Sequence, residues 1–153
     1  MQNITTRKAT LADMDTLLQF EQGVISAERP FDPTLQENHI NYYNLNELIT
    51  APHIQLVVAE LNGELIGSGY ARIENSKIYL RHQQHAYLGF MYVLPQHRGK
   101  GVNKLVINAL KEWTVSRGIT ELRLEVYYKN APAIKAYEKV GFISHMIQMR
   151  QGL

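Results

Sequence analysis

The chain has 153 residues, 45% of them hydrophobic, which is enough to bury the core of one domain and needs no second one. It contains no cysteine, which excludes disulfides, thiolate metal sites and a cysteine nucleophile, and its formal net charge of +2 is too small and too interspersed for a nucleic-acid surface. The first twenty residues mix charges into the apolar pattern, so they read as neither signal peptide nor membrane span, and a soluble cytoplasmic protein with no membrane partner is expected.

Ile4 to Arg7 predicts a short first strand. Thr10 and Asp13 then offer a capping-box variant for a helix carrying Leu17, Leu18, Glu21, Val24 and Ile25. The segment Glu28-Arg29-Pro30-Phe31-Asp32-Pro33 breaks it, and a second helix is predicted from about Thr34 to Ile49, its interior weakened by Asn41, Asn44 and Asn46. Ile54 to Leu61, Asn62-Gly63 and Glu64 to Ile73 carry the clearest hairpin signal. A looser stretch with Arg81, His82, Gln83 and Gln84 leads into a strand from His85 to Val93.

Directly after that strand comes Gln96-His97-Arg98-Gly99-Lys100-Gly101, followed by an amphipathic helix beginning near Gly99. Val102, Leu105, Val106, Ala109, Leu110 and Trp113 form its apolar stripe, and Gly118 ends it. A strand that turns through glycines into a helix leaves several backbone N–H groups pointing one way, an anion site suited to a pyrophosphate. Arg98, Lys100 and Lys104 add counter-charge. The dinucleotide fingerprint fails here because Lys104 stands where its third glycine belongs, and the nucleotide P-loop fails because Gly101 follows Lys100 where Ser or Thr is needed.

Leu122, Leu124 and Val126 alternate as a half-buried strand does, completing a β-α-β unit. Asn130 and Pro132 predict an N-cap and first turn, Gly141 ends that helix, and Phe142 to Met149 reads as a last strand. The order β-α-α-β-β-β-α-β-α-β describes an α/β or α+β domain over residues 1–153, one sheet with helices packed on it.

This order and these residues resemble the GCN5-related N-acetyltransferase (GNAT) family over nearly the whole chain. The family's acyl-CoA motif is matched by Gln96, Gly99 and Gly101, and its later pattern by Asn130, Ala133, Tyr137 and Gly141-Phe142. The resemblance implies a single mixed, mostly antiparallel twisted sheet with helices on both faces, acetyl-CoA as donor, no metal, and a homodimer. It implies that the backbone from Gln96, His97 and Arg98 through Gly99, Lys100, Gly101 and Val102 to Asn103 holds the pyrophosphate. It further implies that Met91, Tyr92 and Val93 pair with the pantetheine arm, that Asn130 and Ala133 bound the cofactor arm, and that Tyr137 protonates the departing thiolate.

The amine acceptor, with a reference pKa near 10.4, must lose a proton before it attacks. Many relatives carry a glutamate on the fourth strand for this, but His85 to Val93 contains no carboxylate. His85 and Glu125 are therefore the candidate bases, with a water relay as the alternative. Tyr87 shares the His85 face and shapes the pocket, while Glu28 and Phe31, with Asp32, Tyr42 and Tyr43 nearby, suit a cationic amine. The expected function is acetyl transfer to a primary amine of a small molecule or amino acid. A protein lysine or N-terminal amine is the alternative acceptor, and an acyl-CoA sensor or partner module with little catalysis is the non-enzymatic reading.

Overall fold

The computed structural model describes residues 3–153. One five-stranded sheet runs in the order β1 (Thr5–Lys8), β2 (Ile54–Leu61), β3 (Glu64–Asn75), β4 (Gln84–Val93) and β5 (Leu122–Arg123). Neighbours are antiparallel except β4 and β5, which are parallel, so the sheet is mixed and mostly antiparallel as expected. The β2–β3 hairpin turns at Asn62 and Gly63, whose φ angles of 52° and 78° are the two left-handed positions that a two-residue hairpin requires.

Helices cover both faces. On one, α1 (Met14–Glu28) and α2 (Leu45–Thr50) bring Leu17, Phe20, Val24 and Leu48 against Leu56, Val58, Tyr70 and Phe90. On the other, α3 (Val102–Ser116) sets Val102, Val106 and Leu110 on Val57, Ala59, Ala71 and Leu88. Because β2 is covered on both sides, its centre reads as a continuous apolar run, Leu56 to Ala59, instead of alternating. Each such aliphatic side chain, fully buried, contributes about 1.5–3 kcal/mol. The short α4 (Ala131–Lys139) follows β5 and is joined to α3 where Lys111 Nζ donates to the Val140 carbonyl at 2.9 Å.

Four expectations change. The second helix is only Leu45–Thr50, because the Asn44 side chain caps it by accepting the Glu47 N–H. The irregular stretch before it is satisfied from α1 instead: Gln22 donates to the Ile40 carbonyl, Arg29 to those of Gln36 and Asn38, and Glu21 accepts from Tyr42 and Tyr43. Helix α3 starts at Val102 because Gly99 and Gly101 hold positive φ, and Leu105 lies at its exposed margin. The fifth strand stops at Arg123, where it parts from β4, so Leu124 and Val126 are not in a ladder. The final strand from Phe142 to Met149 does not form: β5, the sheet edge beside it in order, is only two residues long, and Ile143, Met146, Ile147 and Met149 are exposed.

Candidate functional site

Strand β4 carries a bulge at its centre. Tyr70 pairs with Gly89 and Ser68 with Tyr92, so Phe90 and Met91 together oppose Gly69. Phe90 takes a φ of +56°, a left-handed conformation that costs a side chain about 1–2 kcal/mol, and it is held there by its surroundings. The buried Ser68 hydroxyl donates to its carbonyl at 2.9 Å, and the Tyr43 ring packs on its own at 4.7 Å. A side chain at Gly69 would press on the Met91 sulfur at 2.5 Å and on Val106 of α3 at 2.9 Å, so both would have to move to admit one.

Strand β5 pairs with β4 only at Ala86–Leu122 and Tyr87–Arg123. Beyond that point β5 no longer pairs with β4, so the β4 edge from Leu88 to Val93 has no strand partner on this side and can pair with an extended ligand. At the far end of this edge, the Pro95–His97 turn leads through Gly99 and Gly101, with φ of 78° and 80°, into α3. Gly101 is the N-cap and no side chain caps the first turn, so the α3 N–H groups point outward unclaimed. No other protein atom lies within 4 Å of where a side chain would start at either glycine, which leaves room for an anion to approach the backbone. Gln96, Arg98 and Lys100 are exposed around it, His97 approaches Lys100 at 3.4 Å, and Arg98 Nε donates to the Val93 carbonyl at 3.2 Å. Val102 is buried, so it offers the anion only its backbone, while Asn103 is half-buried beside it. A shallow hollow of about 570 Å³ adjoins Gln96, but its Arg7, Asp13 and Glu60 side chains satisfy one another.

After β5, Asn130 caps α4 by accepting the Ala133 N–H at 3.3 Å. Tyr137, two turns later, is half-buried with its ring edge-on to Phe142. Burial, and secondarily the Glu28 charge, push its phenol up to about 12, so it keeps its proton at neutral pH.

The Glu28 charge reaches the Tyr137 phenol, and the structure gives Phe31 and Asp32 partners that the sequence did not reveal. Phe31 stacks on Tyr127 at 5.9 Å, the Tyr127 hydroxyl donates to Asp32 at 3.2 Å, and Arg150 pairs with Asp32 at 3.1 Å. Thr34, then Arg150, hold the Asp32 carboxyl well below the usual range. Burial raises Glu28, partly offset by the Tyr42 hydroxyl that faces it without completing a well-aligned hydrogen bond. No signal in the sequence marks Tyr127 or Arg150 as members of this group.

Tyr87, Glu125 and His85 belong to a neighbouring cluster. The Tyr87 hydroxyl donates to Glu125 at 3.0 Å, and the Arg72 guanidinium lies 5.6 Å from the Tyr87 ring. Burial, then the Glu125 charge, raise the Tyr87 phenol well above its ordinary value, so it does not titrate near neutrality. His85 is buried, with Nδ1 at 2.8 Å from Ser76 and Nε2 at 3.3 Å from Glu74. Both of its ring nitrogens are thus engaged.

A model of the acetyltransferase (GNAT) family matches residues 17–142. An N-alpha-acetyltransferase of Sulfolobus acidocaldarius is 29% identical over 145 residues, 92% of this chain and 80% of that protein. A streptothricin acetyltransferase of Streptomyces lavendulae is 44% identical over 50 residues, which cover 33% of this chain and 26% of that protein. Among solved structures, a predicted acetyltransferase from Clostridium acetobutylicum with acetyl-CoA superposes with a TM-score of 0.76 at 18% identity, over 98% of this chain and 96% of that one.

Proposed function

The chain belongs to the GNAT acetyltransferase family, and on that premise we propose that it moves an acetyl group from acetyl-CoA to a primary amine of a small molecule or amino acid. The observation that carries this reading is the bulged β4 edge, which has no strand partner on its β5 side beyond Tyr87 and runs into an uncapped glycine turn. One continuous backbone surface thus offers strand-like pairing at one end and anion-binding N–H groups at the other, as a thioester arm ending in a pyrophosphate needs.

When bound, acetyl-CoA supplies the activated acetyl group. The N–H groups from Arg98 through Gly99, Lys100, Gly101 and Val102 to Asn103 take the pyrophosphate, flanked by Gln96 and His97. Met91, Tyr92 and Val93 pair with the pantetheine arm, and a backbone N–H near Val93 stabilises the developing oxyanion. Asn130, its oxygen committed to Ala133, keeps its amide N–H groups for the cofactor arm. Tyr137 gives its proton to the leaving sulfur. Glu28 and Phe31 receive the amine, and Tyr87, tied to Glu125, walls the pocket.

A peptide N-terminus is the second acceptor reading, supported by the name of the Sulfolobus acidocaldarius relative. The deciding experiment measures CoA thiol release from acetyl-CoA with phenethylamine, spermidine, a free amino acid and a short peptide with an unblocked N-terminus. Acceptor-dependent release is expected, and the preferred amine separates the two readings. Tight acetyl-CoA binding with no release for any amine would make the protein a sensor instead.

A further inference from the structure

We infer that the Tyr70 hydroxyl and the free Nη1 of Arg72 determine acceptor specificity by selecting amines that carry a neutral carbonyl beside the amino group, an assignment that rests on the acetyl-transfer reading above. Tyr70 and Gly89 are cross-strand partners on β3 and β4. Gly89 lies two residues beyond Tyr87, where pairing with β5 ends, and on the same face of the strand. The Tyr70 ring crosses over it: a β-carbon on Gly89 would stand 2.5 Å from the phenol oxygen. That oxygen is therefore at the start of the unpaired β4 edge, next to the bulge at Phe90 and Met91. It lies on the face covered by α1 and α2, away from α3, so it meets the acceptor and not the phosphates of the donor.

The Tyr43 and Tyr87 rings flank Tyr70 at 6.1 and 6.4 Å and fix its direction. Tyr70 is only 4% exposed, yet its hydroxyl makes no hydrogen bond among the described residues and is not sealed from solvent. Buried tyrosines ordinarily find a partner for that group. Burial foremost raises its phenol, with Arg72 opposing, so the hydroxyl keeps its proton at neutral pH and can donate a hydrogen bond. The Arg72 guanidinium stands beside it, 5.4 Å from the Tyr70 ring and 5.6 Å from that of Tyr87. Glu74 takes its Nε and Nη2 at 2.8 and 2.7 Å, which leaves Nη1 without a partner among the described residues. Two donors are thus unspent at one place, and an oxygen of the substrate complements them. Charge decides which oxygen. Glu74 already matches Arg72, and Glu125 holds the Tyr87 hydroxyl at 3.0 Å, so a substrate carboxylate would enter negative surroundings. A neutral carbonyl meets no such repulsion. The acceptor class is an α-amino amide, whether a small amide or the first residue of a peptide.

The test is the ratio of kcat/KM for phenylalaninamide to that for phenethylamine, which lacks only the carboxamide, by thiol release from acetyl-CoA. Wild type, Tyr70→Phe and Arg72→Gln are compared at one pH, so the different basicities of the two amines cancel between proteins. Each substitution should lower the ratio about fivefold, the worth of one hydrogen bond. Loosened packing alone would slow both amines together, and an unchanged ratio in both variants overturns the assignment while leaving acetyl transfer intact. Product inhibition isolates the charge of the carbonyl group. N-acetylphenylalaninamide should inhibit wild type at least about fivefold more tightly than N-acetylphenylalanine, and the reverse order overturns the choice of a neutral carbonyl. Phenylalanyl-alanyl-alanine amide separates the sources: a higher kcat/KM than phenylalaninamide supports a peptide, a lower one a small amide, and Tyr70→Phe should lower either. Wild type that binds acetyl-CoA and acetylates none of these amines overturns both readings.

Discussion

The Ser68 hydroxyl donates to the Phe90 carbonyl at 2.9 Å between β3 and β4, where both residues are buried. This bond crosses the sheet at the bulge and closes an acceptor that the irregular ladder leaves open. Ser68→Ala removes the donor and leaves a buried carbonyl without a partner, at a cost of about 1–3 kcal/mol. A lower urea midpoint and slower thiol release are the expected results. Unchanged values for both would mean that the backbone alone holds the bulge.

Tyr137→Phe tests the acid. With the phenol raised to about 12, chiefly by burial, wild type keeps its donor proton through the whole neutral range, and Tyr137 imposes no falling limb on the pH–rate profile until strongly alkaline conditions. Removing the hydroxyl should lower kcat at least about tenfold without changing acetyl-CoA affinity by calorimetry. Near-normal turnover would take Tyr137 out of this role.

Gly101 tests the anion turn apart from the chemistry. At φ +80° a valine is strained by about 1–2 kcal/mol, yet the position is exposed and the fold should survive. Gly101→Val should weaken acetyl-CoA binding at least about tenfold by tilting the N–H groups away from the pyrophosphate. Wild-type affinity in a folded variant would locate the pyrophosphate elsewhere.

Asp13 gives a stability prediction remote from catalysis. Its carboxylate takes both terminal nitrogens of Arg7 at 2.8 and 2.9 Å and the Thr10 N–H at 2.8 Å, and Arg7 foremost lowers its pKa. Since the folded pKa lies below the unfolded one, this stabilisation is full above the unfolded value of about 3.9 and is lost as the pH falls through the folded value. Arg7 is partly exposed and screened, so Asp13→Asn should cost only about 1–2 kcal/mol at pH 7, and the gap from wild type should close in acid. Thermal melts of the two proteins from pH 7 to pH 2 measure this directly.

Local chemistry made part of this molecule readable in advance. Asn62-Gly63 announces its hairpin because few residues accept two left-handed positions in succession, and Asn130 announces α4 because an Asx cap acts within three residues. The glycine turn was legible for the same reason. Asn44 misled: three asparagines only weaken a helix on propensity, whereas one of them caps α2 and starts it at Leu45 instead of near Thr34. The Phe142–Met149 pattern promised a strand, but pairing depends on an edge that only the tertiary structure grants or withholds. The group around Asp32 was hardest to foresee, since Tyr127 and Arg150 meet Asp32 across 95 and 118 residues.

Glu21 gives α1 a mechanical part in the site. Its buried carboxylate grips the N–H groups of Tyr42 and Tyr43 at 2.9 and 2.8 Å; Tyr42 faces Glu28, and the Tyr43 ring rests on Phe90 at the bulge. A small roll of α1 is therefore transmitted to the proposed acceptor pocket and to the bulged strand together. Changes on this helix that alter which amine is accepted will also alter how the donor is presented, and selection on one will drag the other with it.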